Sequence, residues 1–306
     1  MNRSLLTSLM VLSAVLLLPV LQAGADTVKL RPVVSAYGDM KGAGFSEPEG
    51  VGCGTGQQFI IADTGHGRLQ QFQIADDGIK PGAEIKVPQI NYPQRVRLNS
   101  QGDIFVLDGK QHRIIRLNAA GQFKSIIAAK GIPGPVPSMM PRSFAIDKAD
   151  TIYVLDVLSS RVVIAGPDDV YRKQIAFPQG NGFFSDLAVD ASGTLFLLNS
   201  VTGSVYSAAA GSDVFTLLVK DLRSFSRFPT SLAVDQKRIY VVDQYGGGVA
   251  VLGRDGAFQG HKLKTGWKEG ELRYPSDICL MEAGYVMISD RGNNRVQVFM
   301  LEDENK

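Results

Sequence analysis

The chain has 306 residues, with 32 Lys and Arg against 30 Asp and Glu and a formal net charge of +2. That balance argues against a polyanion such as nucleic acid as the main partner, and the length allows a large core within one all-β domain. Two cysteines, Cys53 and Cys279, with no CxxC or CxxCH context, exclude covalent haem, a thioredoxin-like dithiol and a Cys-based zinc site.

Residues 1–25 carry Arg3, a largely apolar run from Leu5 to Leu18 and a small-residue Ala23-Gly24-Ala25 ending. This predicts a secretory signal peptide, cleaved after Ala23 or Ala25, and a periplasmic or secreted protein. The run is short for a membrane span, so no stable membrane insertion is expected after cleavage. Residues 26–301 are then one folded domain, and 302–306 form a charged tail.

From Pro48 onward one pattern recurs. A proline starts an apolar strand; fifteen residues later a second apolar strand ends in Asp; five residues further an Arg opens a third strand. The first copies place Pro48, Asp63 and Arg68, then Pro93, Asp108 and Arg113, then Pro141, Asp156 and Arg161. The fourth is degenerate, with Phe184, Asn199 and Ser204 in those places. The fifth has Pro229 and Asp243 but Gly248 for the Arg, and lacks one residue before the Asp. The sixth, Pro275, Asp290 and Arg295, is well kept. The Asp positions fall 43 to 48 residues apart. A period of that size with three visible strands, and room for a fourth such as Gln122–Ala128 or Val214–Val219, predicts a six-bladed β-propeller of four-stranded blades. After Leu301 no fourth strand remains for blade six. Val28–Tyr37 is expected to supply it and close the ring, with Pro32 suited to an outermost strand.

The pattern P-x-x-h-A-h-D, h-h-h-D, then Arg and h-x-h-F, kept in PTSLAVD with IYVVD and in PSDICLM with VMISDRGNNRVQVF, resembles the NHL repeat. The resemblance covers the expected folded domain and implies a six-bladed propeller, a fold that hosts unrelated activities. Some relatives are lyases or lactonases, and one amidating lyase uses three zinc-binding histidines. The three histidines here, His66, His112 and His261, do not match that set by repeat position, and nothing is carried over.

The repeated Asp and Arg residues (Asp63, Arg68, Asp108, Arg113, Asp156, Arg161, Asp243, Asp290, Arg295) are expected to tie together the turn between second and third strands. The large residues before each proline position (Tyr92, Met140, Phe183, Phe228, Tyr274) read as packing anchors. Glycines 50, 52, 54 and 56 lie on a strand that leads to another strand, which is not the setting of a phosphate loop. No HExxH, GxSxG or GxxxxGK(S/T) occurs.

The departures from the repeat carry the functional expectations. In a propeller the first strands surround the channel. Two residues after the proline position stand Gly50, Arg95, Ser143, Asp186, Ser231 and Asp277; four after it, Gly52, Arg97, Ala145, Ala188, Ala233 and Cys279. Arg95 and Arg97, with Arg142 from the next blade, predict an anion-preferring channel mouth. Arg97, if buried, needs an internal carboxylate, Glu49 or Asp186, or else the carboxylate or phosphate of a ligand. Glu49, Asp186 and Asp277 are alternatively hard-oxygen ligands for a channel Ca²⁺ in an enzyme of the lyase or lactonase sort. The loop Gly260–Tyr274 carries Lys268, Arg273 and the single tryptophan, Trp267, as either a contact with a partner or a plug over the channel. Cys53 and Cys279 approach each other across the closure. They sit five and four residues after their prolines, so whether their faces meet depends on handedness. The favoured reading is a binding or scaffold module for an extracytoplasmic protein or other ligand, with no catalytic set and no cofactor.

Overall fold

The computed structural model describes residues 28–39, 41–134, 138–180 and 183–303. The expected signal peptide lies outside them, and so do residues 304–306. Six four-stranded antiparallel sheets follow one another around a ring. Their inner strands are Gly50–Cys53, Pro93–Leu98, Pro141–Ile146, Phe184–Val189, Pro229–Val234 and Ile278–Leu280. No helix among the described residues is long and apolar enough to cross a membrane.

The second strand of each blade reads as a continuous apolar run because both of its faces are covered. Ile104–Asp108, Ile152–Asp156 and Leu195–Asn199 are buried at every residue. Each face packs on the neighbouring blade, so the described core falls into clusters between adjacent blades. Val96, Ile104 and Ile115 of blade two, for example, meet Ile60 and Leu69 of blade one. Fourth strands are shorter than expected: Phe123–Ile126 and Thr216–Val219, largely open to solvent.

The proline position opens the inner strand and pairs with the repeat Asp, as in Pro93 with Asp108 and Pro229 with Asp243. A bulge follows at once in blades two to five, so the residue after the proline position, Arg142 in blade three, leaves the ladder. Bulges re-aim side chains in this way. The residue missing from repeat five is lost in the turn between its first two strands. Asp235 there bonds Arg238, where blade two spans Asn99 to Asp103. The Pro229–Asp243 pairing survives.

The ring closes as the sequence predicts. Val28–Ala36 runs antiparallel to Arg295–Asp303 and forms the outer strand of blade six. The last strand runs past Leu301, so Glu302 and Asp303 belong to the ladder instead of a tail. Asp303 takes a 2.7 Å bond from the buried Arg238 of blade five. Cys53 and Cys279 do face each other: their sulfurs are bonded, with Cα atoms 5.8 Å apart and 226 residues of chain between them.

A crosslink over that separation is expected to contribute about 3–5 kcal/mol by restricting the unfolded chain. Thiol titration of unfolded, unreduced protein should find no free thiol, and Cys53→Ser/Cys279→Ser should unfold at lower denaturant. Two reactive thiols in the untreated protein would contradict this.

Candidate functional site

The repeat carboxylates do more than brace their own turns. Asp108 accepts the backbone N–H groups of Lys110 and Gln111 in its turn, and also those of Asn91 and Tyr92, which lead into the inner strand of the same blade. Asp156 does the same with Leu158 and Met140, and Asp243 with Gly246, Arg227 and Phe228. Each buried carboxylate thus clips two loops together on one face of the ring. Burial alone would raise the Asp108 carboxyl, but its four backbone N–H bonds lower it overall.

Arg68, Arg161 and Arg295 donate from Nε to Asp63, Asp156 and Asp290 at 2.7–2.9 Å, as predicted. Arg113 does not; its guanidinium turns to the Gln89 carbonyl at 3.1 Å. Asp108 already holds four backbone donors. In blade five, where Gly248 stands for the Arg, the His261 Nε2 lies 3.2 Å from Asp243. A Cβ on Gly248 would sit 2.4 Å from the His261 ring, so the glycine makes the histidine's space. Burial would raise the Asp243 carboxyl; His261 and the Phe228, Arg227 and Gly246 N–H groups instead hold it at about 2. His66 is 2.9 Å from Asp63. The histidines serve separate turns.

In the channel, Arg97 forms a two-pronged pair with Asp277 of blade six, at 2.9 and 3.1 Å, and donates to the Val51 and Val96 carbonyls. Its partner is therefore neither Glu49 nor Asp186. The pair crosses blade one, which has only glycine there. Added Cβ atoms at Gly50 and Gly52 would stand 2.8 Å from the Gln94 carbonyl and 2.7 Å from that of Val96, so the two inner backbones touch and the arginine reaches over. Asp277 also accepts the Val51 N–H. Burial opposes its ionisation, but the charges of Arg97 and Arg95 dominate and lower its pKa.

Asp186 is fully buried, bonded by the hydroxyls of Ser143 and Ser231 and the Leu232 N–H. The Ser231 hydroxyl lies 3.0 Å from Asp277 as well, which links the two carboxylates. Glu49 faces the loops, 2.9 Å from the Tyr92 hydroxyl and 3.5 Å from Arg291. Glu49, Asp186 and Asp277 thus do not converge on one point, and among the described residues no three acidic, His or Cys side chains form a set for an ion. Ca²⁺ requires six to eight oxygens; these oxygens already accept bonds from protein donors, so the set does not fit it.

Arg95 and Arg142 have a different environment. The Arg95 Nε is buried without a hydrogen-bond partner, 3.8 Å from the nearest Asp277 oxygen. Arg142, on the bulge at the mouth, is exposed, and its pKa is lowered by desolvation and then by the charge of Arg95.

Three of the residues before the proline position are not packing anchors. Met140, Phe183 and Tyr274 are exposed, Phe183 by 73%. Beside them stand the turn tips two residues after the repeat Asp or Asn, Leu158, Val201 and Tyr245, exposed as well. The carboxylate clips of blades three, five and six, and the Phe184–Asn199 strand pairing in blade four, bring both sets to one face, which gives an apolar arc over these blades. Phe228 stacks on Tyr245 at 5.1 Å, and Tyr245 meets Tyr274 edge-on at 6.1 Å. There a cleft of about 250 Å³ is lined by Glu47, Gln244, Tyr245, Tyr274, Arg291 and Gly292. Sequence reasoning missed the turn tips, although large apolar residues inside polar turns were a usable signal.

Trp267 does not plug the channel. Its loop is fastened to the outer part of blade six: Arg295 donates to the Lys268 and Glu271 carbonyls, and Gly270 donates to Gln297. Trp267 is 78% exposed. Arg273 gives its N–H to Asp290 and lies over the Tyr274 ring.

Residues 272–299 match the NHL repeat, and the chain is a six-bladed propeller that carries it. Protein lin-41 of Caenorhabditis elegans is 32% identical over 96 residues, 31% of this chain but 7% of that protein, so the chain spans a small part of its relative. Among solved structures, a gluconolactonase from Xanthomonas campestris superposes with a TM-score of 0.67 at 14% identity, covering 91% of this chain and 96% of that one. An auxiliary nutrient binding protein from Bacteroides ovatus also reaches 0.67 at 12% identity, covering 90% and 77%. At such identities the likeness is one of fold.

Removing one member of the Arg97–Asp277 pair leaves a buried charge, so Asp277→Asn and Arg97→Met should each cost about 3–5 kcal/mol in urea unfolding. A loss under 1 kcal/mol in both would show the pair to be dispensable. The lowered pKa of Asp243 makes its contribution complete above the ordinary carboxyl value and lost as pH falls from about 4 to about 2. It amounts to roughly 2–3 kcal/mol. Asp243→Asn should lower stability at pH 7 by that order and lessen its dependence on pH in that window, read by denaturant titration at several pH values.

Proposed function

We propose that this chain is a non-enzymatic binding module, working in the periplasm or outside the cell, that holds a protein partner on the loop face of its ring. The observation that carries the reading is the apolar arc from Met140 to Tyr274, with side chains from 37% to 73% exposed and set beside a charged channel mouth. Contiguous exposed apolar surface with a polar border is characteristic of protein contacts. The Cys53–Cys279 bond suits an oxidising compartment, as do the leader-like features of residues 1–25. A lyase or lactonase would need a reactive group in the channel. Asp186 and Asp277 there are held by arginine and serine, which favours binding over catalysis.

Leu158→Ser/Phe183→Ser removes the centre of the arc and touches only exposed side chains, so the melting temperature should change little. Bait protein with the native surface should retain a partner from the periplasmic or extracellular fraction of the source cells, and the double variant should lose it. Equal capture by both would reject the loop face as the contact.

A further inference from the structure

We propose that the channel mouth is a binding site for a single carboxylate, held between Arg142 and Arg95. Arg95 is 9% exposed, yet its Nε has no hydrogen-bond partner, only an Asp277 oxygen 3.8 Å away, and its Nη1 has only a 3.3 Å contact with the Gln94 carbonyl. Asp277, the nearest carboxylate, already takes the two-pronged bond of Arg97. Arg142 has no hydrogen-bond or ion-pair partner among the described residues; the bulge after Pro141 takes it out of the ladder, on the inner strand that packs against the strand of Arg95, near enough for the charge of Arg95 to act on it. Two guanidiniums within reach of each other's charge repel, and a buried donor left unpaired is costly. An anion between them relieves both.

The charges select the kind of anion. Three guanidiniums, Arg95, Arg97 and Arg142, meet two channel carboxylates, Asp186 and Asp277, which leaves one positive charge. Glu49, at the border, lies outside that count: it faces the loops, bonded by the Tyr92 hydroxyl, and shares Arg291 with Glu47. A monoanion neutralises the surplus. A phosphate dianion would add negative charge near Asp186 and Glu49, whose fields reach Arg142. The planar fork of arginine matches a carboxylate by two parallel bonds. Met140, two residues before Arg142, and Phe183, three residues before Asp186 on the next inner strand, offer exposed apolar surface on the approaches to these strands. The bound group is therefore a carboxylate carried on an apolar body, such as an acidic side chain or chain end flanked by apolar residues. That last step rests on the loop-face reading; the arginine pair does not.

The test uses the full folded protein labelled with ¹⁵N-arginine, observing the Nε–H resonances of Arg95 and Arg142. Benzoate should shift both and saturate, whereas benzamide, its neutral counterpart, should not. Arg142→Gln should weaken benzoate at least tenfold and leave the melting temperature unchanged or higher, because a like-charge neighbour is removed. Equal shifts with benzamide, response to inorganic phosphate but not to benzoate, or undiminished benzoate binding in Arg142→Gln would each overturn the proposal. So would a melting temperature several degrees lower in that variant, since it would give Arg142 a structural task. Benzoate binding that persists in Leu158→Ser/Phe183→Ser, when that variant and the native surface capture protein equally, would separate failure of the loop-face reading from failure of the site.

Discussion

The ion pair between Arg97 and Asp277 joins blade two to blade six over the backbone of blade one. It exists because blade one contributes glycine where the other blades contribute side chains. Without a Cβ at Gly50 and Gly52, the inner backbones of blades one and two come into contact and the guanidinium passes above them. The Cys53–Cys279 bond and the Val28–Ala36 strand secure the same seam from the channel and from the rim. A ring must return to its starting point, and here the seam has covalent, ionic and ladder bonds together. The same pair governs the chemistry of the channel. It neutralises Asp277, removes it as a metal ligand, and leaves Arg95 without a carboxylate of its own.

Around the rest of the ring, stability rests on the buried carboxylates that clip the turns. Their donors are mostly backbone N–H groups, so the motif tolerates changes elsewhere. Blade two keeps Asp108 without Arg113, and blade five replaces the arginine with His261 from its outer strand. Blade four uses Asn199, whose side-chain oxygen accepts from Val201 and Thr202. What persists is an acceptor in each turn, since two orphan donors there have nowhere else to bond.

Those clips also shape the surface. Because the carboxylates draw the approach to the inner strand against the turn, residues at both places emerge on the same face. In blades three to six many of them are large and apolar. The scaffold dictates where they stand; it does not dictate that they be Leu158, Phe183 or Tyr245. The functional reading comes from such positions, where the residue departs from what the fold requires.

The sequence by itself determined the number of blades, the strand that closes the ring, and the residues that line the channel. Each follows from local periodicity: a proline, an acceptor fifteen residues on, and alternating apolar strands. It did not decide which side chains pair across the channel or whether the two cysteines face each other. Nor did it show that Met140, Phe183 and Tyr274 point to solvent, or that His261 completes the turn of Asp243. Those outcomes depend on distances between segments 16 to 226 residues apart. Only closure of the ring sets such distances, because the approach of two blades depends on the side chains, or glycines, that separate them.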